Sequence, residues 1–119
     1  MSEFEGKYIL LDFWVVGCAA CHSAMPDLKK LHEELGDELN IVGIFTGGES
    51  SWEFATETMF GSIPFTNLLL PEGSDLEERY GVTATPTYFL IAPDGKILET
   101  WKGHHWGRIE RELEKYRNQ

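Results

Sequence analysis

From Tyr8 to Val16 every residue except Asp12 is apolar, and β-branched and aromatic side chains dominate. A short continuous run of this kind predicts a strand covered on both faces, central in a sheet. Gly17 ends it. From Cys21 to Leu35 the pattern changes to apolar positions three or four apart, at Met25, Leu28, Leu31 and Leu35, with Gly36 behind them. That spacing predicts a helix with one buried stripe and a kink near Pro26. Asn40 to Thr46 predicts a second buried strand. Ser50 to Phe60 predicts a helix that the Ser50-Ser51 pair can cap, with Glu53 close behind.

Thr66 to Leu70 predicts a third short strand, Asp75 to Tyr80 a helical turn, and Thr87 to Ile91 a fourth strand. Ala92-Pro93-Asp94-Gly95 then reads as a tight turn, since proline sets φ and glycine supplies positive φ. Ile97 to Trp101 should therefore return antiparallel to the fourth strand. Trp106 to Tyr116 closes the chain as a charged helix with Ile109, Leu113 and Tyr116 at helical spacing. Strands alternating with helices, then a hairpin and a last helix, imply an α/β fold: a central mixed β-sheet with helices on both faces. The chain has 119 residues, no internal repeat and no low-complexity linker, so a single domain over 1–119 is expected.

The formal net charge of -10 would repel a phosphate backbone and an anionic lipid surface, which argues against a nucleic-acid partner. No stretch approaches the roughly 18 consecutive apolar residues of a membrane span, so no membrane insertion of this segment is expected. Met1-Ser2-Glu3-Phe4-Glu5 lacks the basic and apolar regions of a secretory signal.

Cys18-Ala19-Ala20-Cys21 falls where the first strand gives way to the first helix. A thiolate there is stabilised by unpaired backbone N–H groups and the helix macrodipole, and such cysteines titrate at about 3.5–7.5 rather than about 8.5. Cys18 is thus the expected nucleophile. Cys21, one turn further in and less exposed, would resolve the mixed disulfide. Taken alone, the pair leaves several readings open. A zinc site would need more ligands, for which only His22, His32, His104 and His105 remain, and no metal or cofactor is expected. With His22 the pair also spells C-x-x-C-H, the attachment signature of c-type haem, although the flanking strand and Thr85-Pro86 point to a sheet fold instead of a haem pocket. A third reading is a binding module whose cysteines form an inert structural disulfide.

From Gly6 to Gly103 the chain resembles the thioredoxin superfamily, in particular the TlpA- and ResA-like thiol-disulfide oxidoreductases. The resemblance is carried by Leu11-Asp12-Phe13-Trp14 leading into Cys18-Ala19-Ala20-Cys21, by Pro26, by Val82-Thr83-Ala84-Thr85-Pro86-Thr87, by Pro93-Asp94-Gly95-Lys96 and by Gly103. It implies a thioredoxin-like fold with a βα insertion, because the stretch from Cys18 to Pro86 is longer than in the smallest thioredoxins. It further implies exchange with protein thiols or disulfides, an upstream electron donor and, where it extends to the exported TlpA-like proteins, a periplasmic or cell-envelope location that the sequence by itself leaves open; a monomer is expected. Pro86 would be cis and face the dithiol, and the backbone of Thr85 would pair with an extended substrate chain. Trp14 would lie near the active site, as core packing and as a candidate substrate contact.

Asp12 interrupts an apolar strand. A buried carboxylate without a partner is costly, so it should sit at a wet edge or have a raised pKa. By the resemblance it lies beneath the cysteines and takes the proton of Cys21. Two positions depart from the family. Ala24 stands where ResA-like proteins commonly carry a glutamate, leaving the acid-base role to Asp12. Gly17 replaces the tryptophan usual before the first cysteine, which should open Cys18 and flatten the partner surface. Gly103 is expected to permit close approach by the dithiol loop, with a plain turn glycine as the alternative. His104, His105 and Trp106 read as a solvated loop, since adjacent histidines lack the i, i+4 spacing of joint ligation. Ala19-Ala20 offers nothing to stabilise the thiolate strongly, which predicts a moderately reducing exchanger.

Overall fold

A computed structural model describes residues 6–15, 17–46, 64–70 and 74–117. In chain order these form β1 (Tyr8–Trp14), α1 (Ala19–Leu35), β2 (Leu39–Phe45), β3 (Thr66–Leu69), α2 (Leu76–Arg79), β4 (Thr87–Ile91), β5 (Ile97–Lys102) and α3 (Arg108–Arg117). The helix expected over 50–60 lies outside the described residues. None of the described helices is long and apolar enough to cross a membrane.

The strands make one mixed sheet in the order β3-β2-β1-β4-β5. β1 runs parallel to β2, and β2 parallel to β3, while β4 is antiparallel to both β1 and β5. The apolar run of β1 thus lies at the centre of the sheet, as its composition requires. β3, carried in the long stretch between Cys18 and Pro86, pairs with the far side of β2. The hairpin between β4 and β5 closes as expected: Gly95, at φ 93°, donates its N–H to the Ala92 carbonyl at 2.9 Å.

Alternation along the strands divides the core into two layers. Leu10, Leu39, Ile41, Tyr88 and Leu90 pack against Met25, Leu28 and Leu31 of α1 and Ile109 and Leu113 of α3. On the opposite face Leu11, Phe13, Val42, Ile44 and Phe89 gather with Val82, beneath Leu76 of α2 and Tyr80. Helices therefore cover both faces. Full burial of each such leucine or phenylalanine contributes about 1.5–3 kcal/mol, which makes these two layers the main source of stability.

One boundary of α1 departs from what periodicity alone suggests, and its internal proline is where the sequence placed it. α1 begins at Ala19, two residues before the expected start at Cys21, because Cys18 acts as its N-cap. Pro26 lies inside α1, where it forfeits one backbone bond in a helix whose buried face supplies the compensation.

Gly43 faces Asp12 across β1 and β2 and Asn67 across β2 and β3. A Cβ there would strike the Asn67 side chain and stand 3.0 Å from Trp14 Nε1. The missing side chain thus makes room for the hydrogen bond that Trp14 Nε1 donates to Asn67 Oδ1 at 3.0 Å. Gly43→Ala should displace Asn67 and cost about 1–3 kcal/mol. Urea denaturation would measure the loss, and a changed near-ultraviolet circular dichroism signal would report the shifted Trp14; a variant with wild-type stability and signal would show that the site tolerates a methyl group.

Candidate active site

After β1 the chain reaches Cys18 in an extended conformation, φ −95° and ψ 107°, and enters α1. The Cys18 sulfur takes the place of a capping oxygen and accepts the Cys21 N–H at 3.1 Å. The Cys18 carbonyl accepts the His22 N–H at 3.1 Å. No acidic side chain occupies the first turn of α1, so nothing there opposes negative charge on this sulfur. Cys18 and Cys21 are joined as a disulfide, with Cα atoms 5.2 Å apart. Cys21 is 2% exposed and Cys18 half-buried, so a partner can reach only the first sulfur.

The loop before β4 meets this sulfur from the other side. The Thr85-Pro86 bond is cis, as the family resemblance implies. The Thr85 carbonyl oxygen lies 3.4 Å from Cys18 Sγ. The loop is held from within and from behind: Thr87 Oγ1 donates to the Ala84 carbonyl at 2.6 Å, and Lys102 Nζ to Thr83 Oγ1 at 2.6 Å. Gly103, at φ 83°, donates its N–H to the Pro86 carbonyl at 2.8 Å. Its glycine character therefore serves a left-handed turn against the proline loop, so the turn-glycine alternative holds and the approach to the dithiol loop is corrected. Gly17 is exposed, and a Cβ there would meet nothing within 4 Å, so the space beside Cys18 is open.

Of two further expectations, the core packing of Trp14 is met while its substrate-contact alternative falls, and the solvated reading of His104 changes. Trp14 is 0% exposed, stacked edge-on against Phe45 at 5.1 Å and bonded to Asn67. It packs the interior behind the site and offers no surface to a substrate, because β1 alternation turns it to the same face as Leu10 and Asp12. His104 does not belong to a solvated loop. Its Nε2 is 2.9 Å from Asp27 Oδ2, with the two side chains 5% and 4% exposed, and its Nδ1 is 2.9 Å from Tyr88 Oη. His105 and Trp106 are exposed, as expected. Asp27 and Tyr88 escaped the sequence reading. The available signal was a carboxylate inside the apolar stripe of α1, between Met25 and Leu28.

Asp12 sits in the middle of β1, opposite Gly43 on one side and Tyr88 on the other. It is 2% exposed, and its Oδ1 has no hydrogen-bond partner among the described residues. The wet-edge alternative therefore falls. Burial pushes its pKa from 3.8 up to about 7. By strand alternation with Leu10 it faces α1, the helix that carries Cys21. A carboxyl group in this setting can take or release a proton near neutral pH.

A cysteine pair joined as a disulfide at a helix N-terminus, a cis-proline loop against its outer sulfur and a buried carboxyl behind define a thioredoxin-like site. Residues 6–97 match the family model described as thioredoxin-like, and the chain belongs to the thioredoxin-like family. It is similar to the thioredoxin-like protein YneN of Bacillus subtilis, 29% identical over 87% of this chain and 61% of that protein. It is also similar to the thiol-disulfide oxidoreductase ResA of Bacillus thuringiensis, 26% identical over 98% of this chain and 65% of that one. The chain thus spans less than two thirds of the length of these relatives. Among solved structures, the thioredoxin domain of a thiol-disulfide oxidoreductase from Bacteroides vulgatus matches with a TM-score of 0.81 and 29% identity, covering 98% of this chain and 83% of that one.

The raised pKa of Asp12 has a stability consequence. Between pH 4 and 7 the folded chain holds a proton on Asp12 that the unfolded chain has released, so stability falls as pH rises through this window. Asp12→Asn removes the penalty. Its stability gain over wild type should be absent near pH 3, grow from about pH 4 to about pH 7, and level off at up to about 4 kcal/mol. Urea denaturation at pH 4, 6 and 8 checks this; a gain that does not change with pH would contradict the burial of an ionisable group.

Proposed function

We propose that this protein is a thiol-disulfide oxidoreductase that exchanges a Cys18-Cys21 dithiol with the disulfides of protein substrates. The observation that carries the reading is the reachable Cys18 sulfur at the N-terminus of α1, 3.4 Å from the Thr85 carbonyl, with Cys21 buried behind it. In the reducing direction the Cys18 thiolate attacks one sulfur of a substrate disulfide. A Cys18–substrate bond forms and the other substrate sulfur leaves as a thiolate. Cys21 then gives its proton to Asp12, and its thiolate attacks Cys18 Sγ, releasing the second substrate thiolate. The Cys18–Cys21 disulfide is left, and two electrons have passed to the substrate.

Substrate specificity comes from backbone pairing at Thr85, the flank of Pro86 and the open space beside Gly17, which together suit an extended polypeptide rather than a small disulfide. An upstream dithiol donor restores the reduced pair. The reading includes a single domain over 1–119, acting as a monomer in an envelope or periplasmic compartment, where disulfides form and need correction.

A redox titration followed by tryptophan fluorescence, in glutathione or dithiothreitol buffers, tests the proposal. The expected result is a reversible two-electron transition that Cys18→Ser abolishes, with a midpoint between about −270 and −150 mV. A midpoint above about −150 mV would make the protein an oxidant. No transition would leave an inert disulfide, and a Soret band from the purified protein would point to covalent haem.

A further inference from the structure

The face of the sheet beneath α1 holds a polar chain that the exchange steps leave unused. Asp27 comes from α1, less than two turns beyond Cys21. Tyr88 stands in β4, two residues beyond Pro86, and His104 follows Gly103. The imidazole bridges the other two, at 2.9 Å on each side. One buried residue thereby ties the dithiol helix to the strand that carries the cis-proline.

Asp12 shares this face of the sheet with the trio. Tyr88 is its register partner across β1 and β4. Burial and the carboxylates of Asp12 and Asp27 together hold the Tyr88 phenol well above the usual tyrosine range, so the hydroxyl keeps its proton at neutral pH. In either charge state His104 donates Nε2–H to Asp27. When the ring is neutral, Nδ1 accepts the Tyr88 proton; when the ring is charged, Nδ1–H donates to Tyr88 and frees that proton to turn elsewhere. Among the described residues, the other charged groups on this face include Glu99 of β5, which accepts the Tyr116 hydroxyl at 2.7 Å, and three side chains of α3. Arg108 and Lys115 engage Glu112 at 3.2 and 2.5 Å, and Arg108 lies over the Trp101 ring. Neighbouring His105 is exposed. Opposite Asp12 on β2 stands Gly43, so that strand position brings no side chain to it.

We propose that His104 is a positioning residue for the dithiol reaction, acting through Tyr88 on the charge state of Asp12. The proposal rests on the exchange reading of Cys18 and Cys21. A charged imidazole and a released Tyr88 hydroxyl favour the Asp12 carboxylate that must accept the Cys21 proton. Coupling of this kind is reciprocal, so the Asp12 carboxylate must favour the charged ring by the same free energy.

The test uses the full chain and two independent readouts. Imidazole resonances followed by NMR across pH should show the His104 midpoint lowered by about half a unit or more in Asp12→Asn. The pH midpoint for resolution of a Cys18 mixed disulfide should rise by a similar amount in His104→Gln. Tyr88→Phe, which deletes only the bridging oxygen, should cut both couplings at least in half. A His104 midpoint identical in wild type and Asp12→Asn overturns the proposal and leaves the trio a structural fastener, whatever the exchange assay gives. A lowered midpoint in a protein that shows no redox transition supports the coupling and sinks the exchange reading instead. Should His104→Gln fail to fold, the Asp12→Asn titration decides alone.

Discussion

The antiparallel pairing of β1 with β4 is the constraint on which the site depends. Phe13 stands opposite Thr87, so the residues that follow β1 emerge beside those that precede β4. Cys18 and Thr85, 67 positions apart in the chain, meet there because each is the first stretch beyond a paired strand end. A slip of one residue would part them. It would also turn Asp12 from the α1 face to the opposite one, since side chains alternate along a strand. The apolar content of both strands resists such a slip, because every buried residue of β1 would change layers with it.

The two layers of the core have different characters. Leu11, Phe13, Val42, Ile44 and Phe89 make an apolar layer. The layer beneath α1 is larger but admits Asp12, Asp27, Tyr88 and His104 among its leucines. Buried polar groups are costly unless they are satisfied, and three of these four satisfy one another. Asp12 is the exception, with one oxygen unpartnered among the described residues. That unrelieved burial raises its proton affinity to the neutral range.

The position of the dithiol depends on similar economy. Cys18 caps α1 with sulfur, a weak acceptor in place of the usual oxygen, and the helix gives in return an N–H aimed at the atom that must carry negative charge. The proline loop completes the arrangement, held in place by the Gly103 turn and by the Thr87 hydroxyl. Stability elsewhere in the fold is what allows these less favourable choices at one end of the sheet.

Much of this was legible in the amino-acid order. The period of the apolar residues marked β1, α1, β2, β4 and α3, Pro93-Asp94-Gly95 marked the hairpin, and the break at Gly17 put the cysteines at a strand-helix junction. These signals are local, because a backbone of fixed period exposes its apolar residues at that period. What the sequence could not decide was which polar side chains go inside. Trp14 turned out to be packing behind Gly43 and Asn67, and Asp12 to be buried mid-strand. His104, in a loop with every mark of solvation, lies buried against a carboxylate 77 residues earlier in the chain. Burial of a loop residue depends on partners that only the folded sheet brings near, and no local pattern records them.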